Sequence, residues 1–337
     1  QRACGTSLET FNQLALKVAF GQIDSGIAGG VDTNSDVPVV FPRSMGWKLL
    51  DLRSAKTPIE KLKALAAFTP MDLKPILPGV IEPRTGMSMG DHCEVMVKEW
   101  KISRKEQDEL ALRSHKNAAA AYEAGFYRDL VFPFNGVEKD GFVRGDTTLE
   151  KLASLKPAFD KSGAGTLTAG NSTPLTDGAA GVLLSSEEWA KERGFEPLAY
   201  FVDCESAAID FVAGEGLLMA PTIAVSRLLK RNGLQLQDFD FYEIHEAFAG
   251  QVVCTLRAWE SDKYCRERLG RDKAMGSIDP SKMNVKGGSL ATGHPFAATG
   301  ARILATLAKT LKESGKGRGL ISICTAGGMG IAAIIER

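Results

Sequence analysis

Three side chains able to attack a carbonyl or carry a proton stand where a chain displays reactive groups: Cys4, His294 and Cys324. Cys4 immediately precedes a run in which Leu8, Phe11, Ala15, Val18 and Ala19 fall on one face of a 3.6-residue period, so its sulfur is expected at a helix start. The positive end of the helix dipole and the free N–H groups there would pull a thiol down from about 8.5 toward neutrality, which makes a nucleophile. His294 lies in Gly-Gly-Ser-Leu-Ala-Thr-Gly-His-Pro, a glycine-rich turn before a second helix, which would present its imidazole at a sheet edge. Cys324 ends the apolar run Leu320–Cys324 and precedes Thr-Ala-Gly-Gly-Met-Gly; the glycines allow main-chain N–H groups to approach a developing oxyanion. Each has a plainer reading: a cysteine is commonly a small buried hydrophobe, and a histidine at a helix start commonly caps that helix.

His245 and Glu246 follow the apolar run Phe239–Ile244 in Glu-Ile-His-Glu-Ala-Phe-Ala-Gly. A zinc-protease helix would need a second histidine at position 249, which is Ala249, so that chemistry is excluded. His92 and His115 belong to a helical central segment where packed or solvated roles are expected. The same plain role is expected for Cys93, Cys204, Cys254 and Cys265, all six thiols being reduced, as in an intracellular protein. No C-x-x-C pair is present, and the spacing of cysteines and histidines does not match a zinc module.

The elements that must position these groups repeat. Residues 5–20 read as a helix stopped by Gly21, and Ser25–Val31 as a buried strand ending in glycines. After Gly293-His294-Pro295 a helix carries Phe296, Ile303, Leu304, Leu307 and Leu311 inward, and the strand Leu320–Cys324 leads to Gly327-Gly328. Reactive residue, helix, strand and double glycine thus occur twice, which implies two similar α/β halves. Residues 41–90, rich in Pro, Met and Gly, are expected to form an irregular insert. Ser103-Arg104-Lys105-Glu106 is a capping box opening a helix to about Gly125, and 126–165 are polar and loop-like. Strand character returns over Thr166–Leu184, and a helix near Ile223–Arg231 ends at Gly233.

With 337 residues the chain has room for two core-forming units, and 41 basic against 41 acidic residues leave no surplus charge to recruit nucleic acid or an anionic membrane. No apolar run reaches the length of a membrane span.

Together these segments resemble the thiolase family over essentially the whole chain. The resemblance rests on Cys4 at a helix start, His245-Glu246-Ala247-Phe248, the Gly287/Gly288–Pro295 segment and Cys324–Gly330, in that order. Ala169-Gly170-Asn171-Ser172 and Asp177-Gly178-Ala179-Ala180 lie between them. It implies two βαβαβαββ halves packed as a five-layered α/β structure with an inserted loop domain: 1–40 and 166–190 from the N-terminal half, 41–165 the insert, and 191–337 the C-terminal half. It also implies that the family's first strands, beneath Cys4, precede Gln1 and are absent, leaving sheet edges and core surface bare.

The activity so implied is ping-pong acyl transfer on coenzyme A thioesters with coenzyme A as co-substrate and no permanently bound cofactor or metal. Cys4 is the nucleophile, His294 its base, and Cys324 the acid that protonates a departing acetyl-CoA enolate. One oxyanion site pairs His294 with a group held by His245; the other uses the backbone N–H groups of Cys4 and Ala326, where many relatives have glycine. Arg144 maps onto the arginine at the adenine and phosphate side of coenzyme A, Thr173 onto a pantetheine-contacting serine, and Met89 and Phe248 onto acyl-pocket residues. His245, where many thiolases carry Asn, is similar to the thiolase subunits of fatty-acid β-oxidation complexes and favours degradation over condensation. A homodimer or homotetramer and a hydratase/dehydrogenase partner follow from the same resemblance, with the cytoplasm expected in a bacterium and the mitochondrion in a eukaryote. Three alternatives stay open: a β-ketoacyl synthase, an acyl-CoA- or sterol-binding protein with little catalysis, and a structural partner subunit. The joint presence of Cys4, His294 and Cys324 argues against them.

Overall fold

The apolar stripe after Cys4 does form a helix, Thr6–Ala19, in a computed structural model that describes residues 1–76 and 79–337. It leads past Gly21 into β1 (Ser25–Asp32), which pairs antiparallel with β2 (Gly178–Ser185), Ser25 opposite Ser185 and Asp32 opposite Gly178. A second sheet has the order β3-β6-β5-β4, from β3 (Tyr200–Ala208), β4 (Phe241–Ile244), β5 (Arg318–Thr325) and β6 (Met329–Glu336). β4 and β5 run parallel, while β5–β6 and β6–β3 are antiparallel. The near-continuous apolar runs of β5 and β6 have a simple cause: this sheet is covered on both faces.

One face of the second sheet and the inner face of the β1–β2 pair share a core with two helices, Thr6–Ala19 and Thr299–Ser314. Leu8, Phe11, Ala28, Ile303, Leu304, Leu307, Ile321, Ile323 and Ile331 are buried together there. Each large aliphatic or aromatic side chain so buried contributes about 1.5–3 kcal/mol. On the other face Leu228, Leu229, Phe239, Tyr242 and Trp259 form a second core with the helices Ala220–Asn232 and Ala249–Glu260. The order of reactive residue, helix and strand is present after Cys4 and again after His294, but Gly29-Gly30 lie within β1, of which only Ala28 is buried, whereas Gly327-Gly328 follow the fully buried part of β5.

The two central helices touch backbone to backbone. A Cβ on Gly300 would lie 2.6 Å from the amide nitrogen of Leu8, so only glycine permits the crossing. Beside it, the Ala301 N–H donates to Ser7 Oγ at 2.7 Å, so the first helix supplies a cap for the second. The turns carrying Cys4 and His294 are locked together by this contact.

Thr33–Ile81 forms a compact unit of its own, distinct from the one containing Gln1–Asp32 and Glu82–Arg337. Where an irregular insert was expected, it holds the helices Arg43–Ser54 and Pro58–Ala66. Neither helix has a buried residue, although Ile59, Leu62 and Leu65 of the second are spaced as one helix face; a further signal was the capping box in which Glu60 N–H donates to Thr57 Oγ1 and Thr57 N–H to Glu60 Oε2. In the other unit, the helices Met89–Glu99 and Arg104–Glu123 open on the boxes Ser88/Asp91 and Ser103/Glu106. Among the described residues no helix is long and apolar enough to cross a membrane.

Candidate active site

Cys4 sits in a single 3₁₀ turn, Ala3–Gly5, directly ahead of the first helix, and Ala3 is forced into the left-handed region at φ 42°. The turn is pressed against β6: a Cβ on Gly5 would come within 2.7 Å of Ile331 Cγ2. From the other side, His294 Nε2 lies 3.0 Å from Cys4 Sγ, across 290 residues of sequence. Its Nδ1 is 2.7 Å from Thr299 Oγ1, in the first turn of the following helix. The His294 backbone is pinned by the Asn171–Thr176 loop, its N–H donating to the Pro174 carbonyl at 2.9 Å. Asp32, at the end of β1, accepts the Ala297 N–H at 2.8 Å. Nucleophile, base and a group orienting the base therefore form a chain with hydrogen-bond geometry.

The structure reverses one expectation. Burial pushes the Cys4 thiol up to about 11, with the charge of Asp32 adding to it; the backbone N–H groups of Ala326 and of Cys4 itself lower it only in part. The N-terminal dipole is thus outweighed by desolvation of the thiolate. Burial, and then the Arg302 guanidinium, pull His294 down to about 3. The resting pair is a neutral thiol facing a neutral imidazole. Alkylation of Cys4 by iodoacetamide, followed by peptide mass spectrometry in the substrate-free protein, is expected to climb through pH 6–9 by about tenfold per unit, in step with the thiolate fraction. A plateau of fast alkylation already reached by pH 7 would mean a thiolate–imidazolium pair instead.

His245 lies at the end of β4 with its ring centroid 4.3 Å from that of His294. Its Nδ1 is 2.9 Å from Ser289 Oγ, which also receives Arg302 Nη2 at 2.7 Å. Its Nε2 is buried and has no partner among the described residues. Burial, then His294, then Arg302 hold this histidine neutral, well below its ordinary range. The adjacent Glu246 carboxylate is a structural clamp. It accepts from Ser114 Oγ and Asn284 Nδ2, both at 2.6 Å, and from Leu290 N–H at 3.2 Å, fixing the turn that carries Ser289. A Cβ on Gly288 would fall 2.3 Å from that carboxylate, which explains the second glycine of the pair. Ligand atoms of Cys4, His245 and His294 come within 4.8 Å of one another, a grouping that sequence spacing does not show.

Cys324, the next-to-last residue of β5, is buried beside Phe248, Phe211 and Met219. Burial and the nearby Cys4 sulfur hold its thiol well above the ordinary range, so it keeps its proton. Past it the chain turns through Gly327 (φ 74°) and Gly328 (φ 68°). These left-handed conformations fall on the glycines and not on Ala326, so alanine at 326 costs the turn nothing and its N–H still points at Cys4 Sγ. Phe248 and the partly buried Met89 pack in the cluster around Cys324. Thr173 Oγ1 donates to the Ser289 carbonyl at 2.7 Å, so this hydroxyl helps hold the His245 support. Arg144 is exposed, with Nη1 donating to Gly141 O at 2.8 Å and its backbone N–H donating to His115 Nδ1 at 3.2 Å.

The structure gathers Cys4, His294, His245, Cys324 and Ala326 into one site, with Met89 and Phe248 in its apolar wall. Four residues escaped sequence reasoning: Asp32, Ser289, Thr299 and Arg302. Ser289 and Thr299 each lie five residues from His294, within the glycine-rich turn and the helix after it, and that proximity was the only available signal.

The profile described as thiolase, N-terminal domain, matches residues 1–188, and that of the thiolase C-terminal domain matches residues 195–337. A 3-ketoacyl-CoA thiolase of Pectobacterium carotovorum is 44% identical over 341 aligned positions, spanning 99% of this chain and 77% of that protein. Human mitochondrial 3-ketoacyl-CoA thiolase superposes with a TM-score of 0.80 at 30% identity, covering 99% of this chain and 77% of the human one. The Acat5 thiolase from Ascaris suum, solved in complex with coenzyme A, gives 0.77 at 27% identity over 99% of this chain and 78% of the other.

Proposed function

This chain belongs to the thiolase family, and we propose that it cleaves 3-ketoacyl-CoA to acetyl-CoA and a shortened acyl-CoA through an acyl group carried on Cys4. The observation that carries this reading is the 3.0 Å contact between Cys4 Sγ and His294 Nε2 with the protonated thiol of Cys324 alongside.

The Cys4 S–H proton passes to His294 Nε2 as the sulfur attacks the keto carbon. The N–H groups of Cys4 and Ala326 already face the sulfur. They are therefore placed for the oxygen on the carbon that the sulfur bonds. The Cα–Cβ bond then breaks, its electron pair leaves as the acetyl-CoA enolate, and Cys324 gives that carbon its proton. The enolate oxygen falls to the two imidazoles, His294 through the proton it has taken and His245 through its open Nε2. A second coenzyme A gives its thiol proton to the Cys324 thiolate and attacks the acyl carbonyl; Cys4 leaves and recovers its proton from His294. Every proton is returned, so no further co-reactant is needed.

The finer readings rest on the resemblance. Arg144 is proposed at the adenine and phosphate end of coenzyme A, and Thr173 beside the pantetheine. Met89 and Phe248 are proposed along the acyl chain. Histidine at 245 supports placement with the thiolases of fatty-acid β-oxidation complexes, and with it a homodimer or homotetramer able to dock a hydratase/dehydrogenase subunit. The division into 1–40, 41–165, 166–190 and 191–337 is proposed on the same ground. Thiolysis followed across 3-ketoacyl-CoA chain lengths tests the reading: turnover on substrates longer than four carbons is expected. Turnover confined to acetoacetyl-CoA would turn it toward condensation of two acetyl-CoA molecules.

A further inference from the structure

We infer that Ser289, backed by Arg302, selects the tautomer of His245 in which Nε2 carries the hydrogen, so that this imidazole donates into the site. The inference rests on the reading of His245 as an oxyanion donor and explains what makes it one. A neutral imidazole has one N–H, and it serves an oxyanion only if that N–H is the one pointing inward.

The hydroxyl of Ser289 decides which nitrogen holds it. Ser289 is fully buried, and among the described residues its Oγ meets only Arg302 Nη2 at 2.7 Å and His245 Nδ1 at 2.9 Å. A guanidinium has donors and no acceptor, so the first contact occupies a lone pair of the serine oxygen. The serine's own hydrogen then has one acceptor in reach, the Nδ1 lone pair. The opposite arrangement, with Nδ1–H donating to Ser289, would leave a buried O–H without a partner, at about 1–3 kcal/mol. It would also turn the positive end of the Nδ1–H bond toward a cation. Arg302 strengthens the serine as a donor by polarising it, since hydrogen bonds in a chain reinforce one another. With Nδ1 committed, the hydrogen of the ring sits on Nε2, the atom that is buried and unpartnered.

The turn is built to hold this serine still. Glu246 ties down the Leu290 N–H, and Thr173 Oγ1 donates to the Ser289 carbonyl at 2.7 Å. The neighbouring His294 is held differently: its Nδ1 faces Thr299 Oγ1 at 2.7 Å, and among the described residues no guanidinium hydrogen-bonds that hydroxyl.

Ser289 and Arg302 are positioning residues, and the test is a comparison of Ser289→Ala, Ser289→Thr and His245→Ala in the intact protein. Ser289→Ala is expected to lower kcat for 3-ketoacyl-CoA thiolysis by about 10²–10³-fold, the effect of losing one oxyanion donor. KM should stay within about threefold, and acylation of Cys4 by a simple acyl-CoA should be little changed. In ¹⁵N NMR of histidine-labelled protein, the His245 signal should move from a single Nε2–H form to a mixture of tautomers. Ser289→Thr, which keeps the hydroxyl, should restore both. If Ser289→Ala leaves the tautomer and kcat as in the parent while His245→Ala slows thiolysis, the relay is wrong and the role of His245 stands. If His245→Ala itself turns over normally, the role of His245 falls and the relay with it.

Discussion

Cys4→Ala is expected to abolish the acyl-enzyme and to lower thiolytic turnover by about 10⁴-fold or more, the scale seen when a nucleophile that acts as a unit with its base is removed. The checks are intact-protein mass spectrometry after mixing with a 3-ketoacyl-CoA, where no acyl adduct should appear, and steady-state thiolysis. The size of the effect follows from the geometry: among the described residues Cys4 Sγ is the one group in hydrogen-bond contact with His294 Nε2. Cys324 sits in the same site, but with its thiol held well above the ordinary range it is a reluctant thiolate. Cys4→Ala should fold, because it removes one sulfur from a small buried side chain in a turn held by Gly5 and by the two central helices. A thermal midpoint within a few degrees of the parent separates loss of chemistry from loss of fold. Normal turnover by a folded Cys4→Ala protein would end the mechanism proposed above.

Cys324→Ala should divide the reaction in two. Carbon–carbon cleavage is expected to slow by about 10²–10⁴-fold, the usual worth of a positioned general acid or base. Acylation of Cys4 by a saturated acyl-CoA should change by only a few-fold. The reason lies in the leaving groups. An enolate carbon is far more basic than a thiolate and depends on a proton donor at the moment it leaves, whereas coenzyme A departs from a thioester readily as its thiolate. Burial of Cys324 suits this assignment, since a thiol that resists ionisation reaches the transition state with its proton still in place. Single-turnover measurement of the acyl adduct with each substrate checks it. Equal slowing of both steps would move Cys324 from acid to structural wall.

Much of this protein was legible in its sequence, and for local reasons. The helix behind Cys4 and the one behind His294 carry apolar stripes because they lie in the shared core, and the capping box at Ser103 marks a helix start because those side chains satisfy orphan N–H groups. The repeated order of helix and strand after Cys4 and after His294 was visible because both helices pack an apolar face into the same core beside their strands. Cys4, His294, His245 and Cys324 could be singled out because reactive residue types at element ends stand apart from a periodic background. The helices Arg43–Ser54 and Pro58–Ala66 lie inside a Pro-, Met- and Gly-rich stretch that masks them, although Ile59, Leu62 and Leu65 carry a helical period and Thr57/Glu60 a capping box.

What the tertiary structure alone decided is the chemical state of those residues. A cysteine at a helix start reads as an easily ionised thiol, but folding places 290 residues' separation at 3.0 Å and removes the water, so the thiol stays neutral until a substrate arrives. The direction of each imidazole depends on Ser289, Thr299 and Arg302, residues with no reactive signature of their own. Residue type and spacing determine which groups are available. Desolvation and the choice of hydrogen-bond partner, which exist only once distant segments meet, determine what each group does.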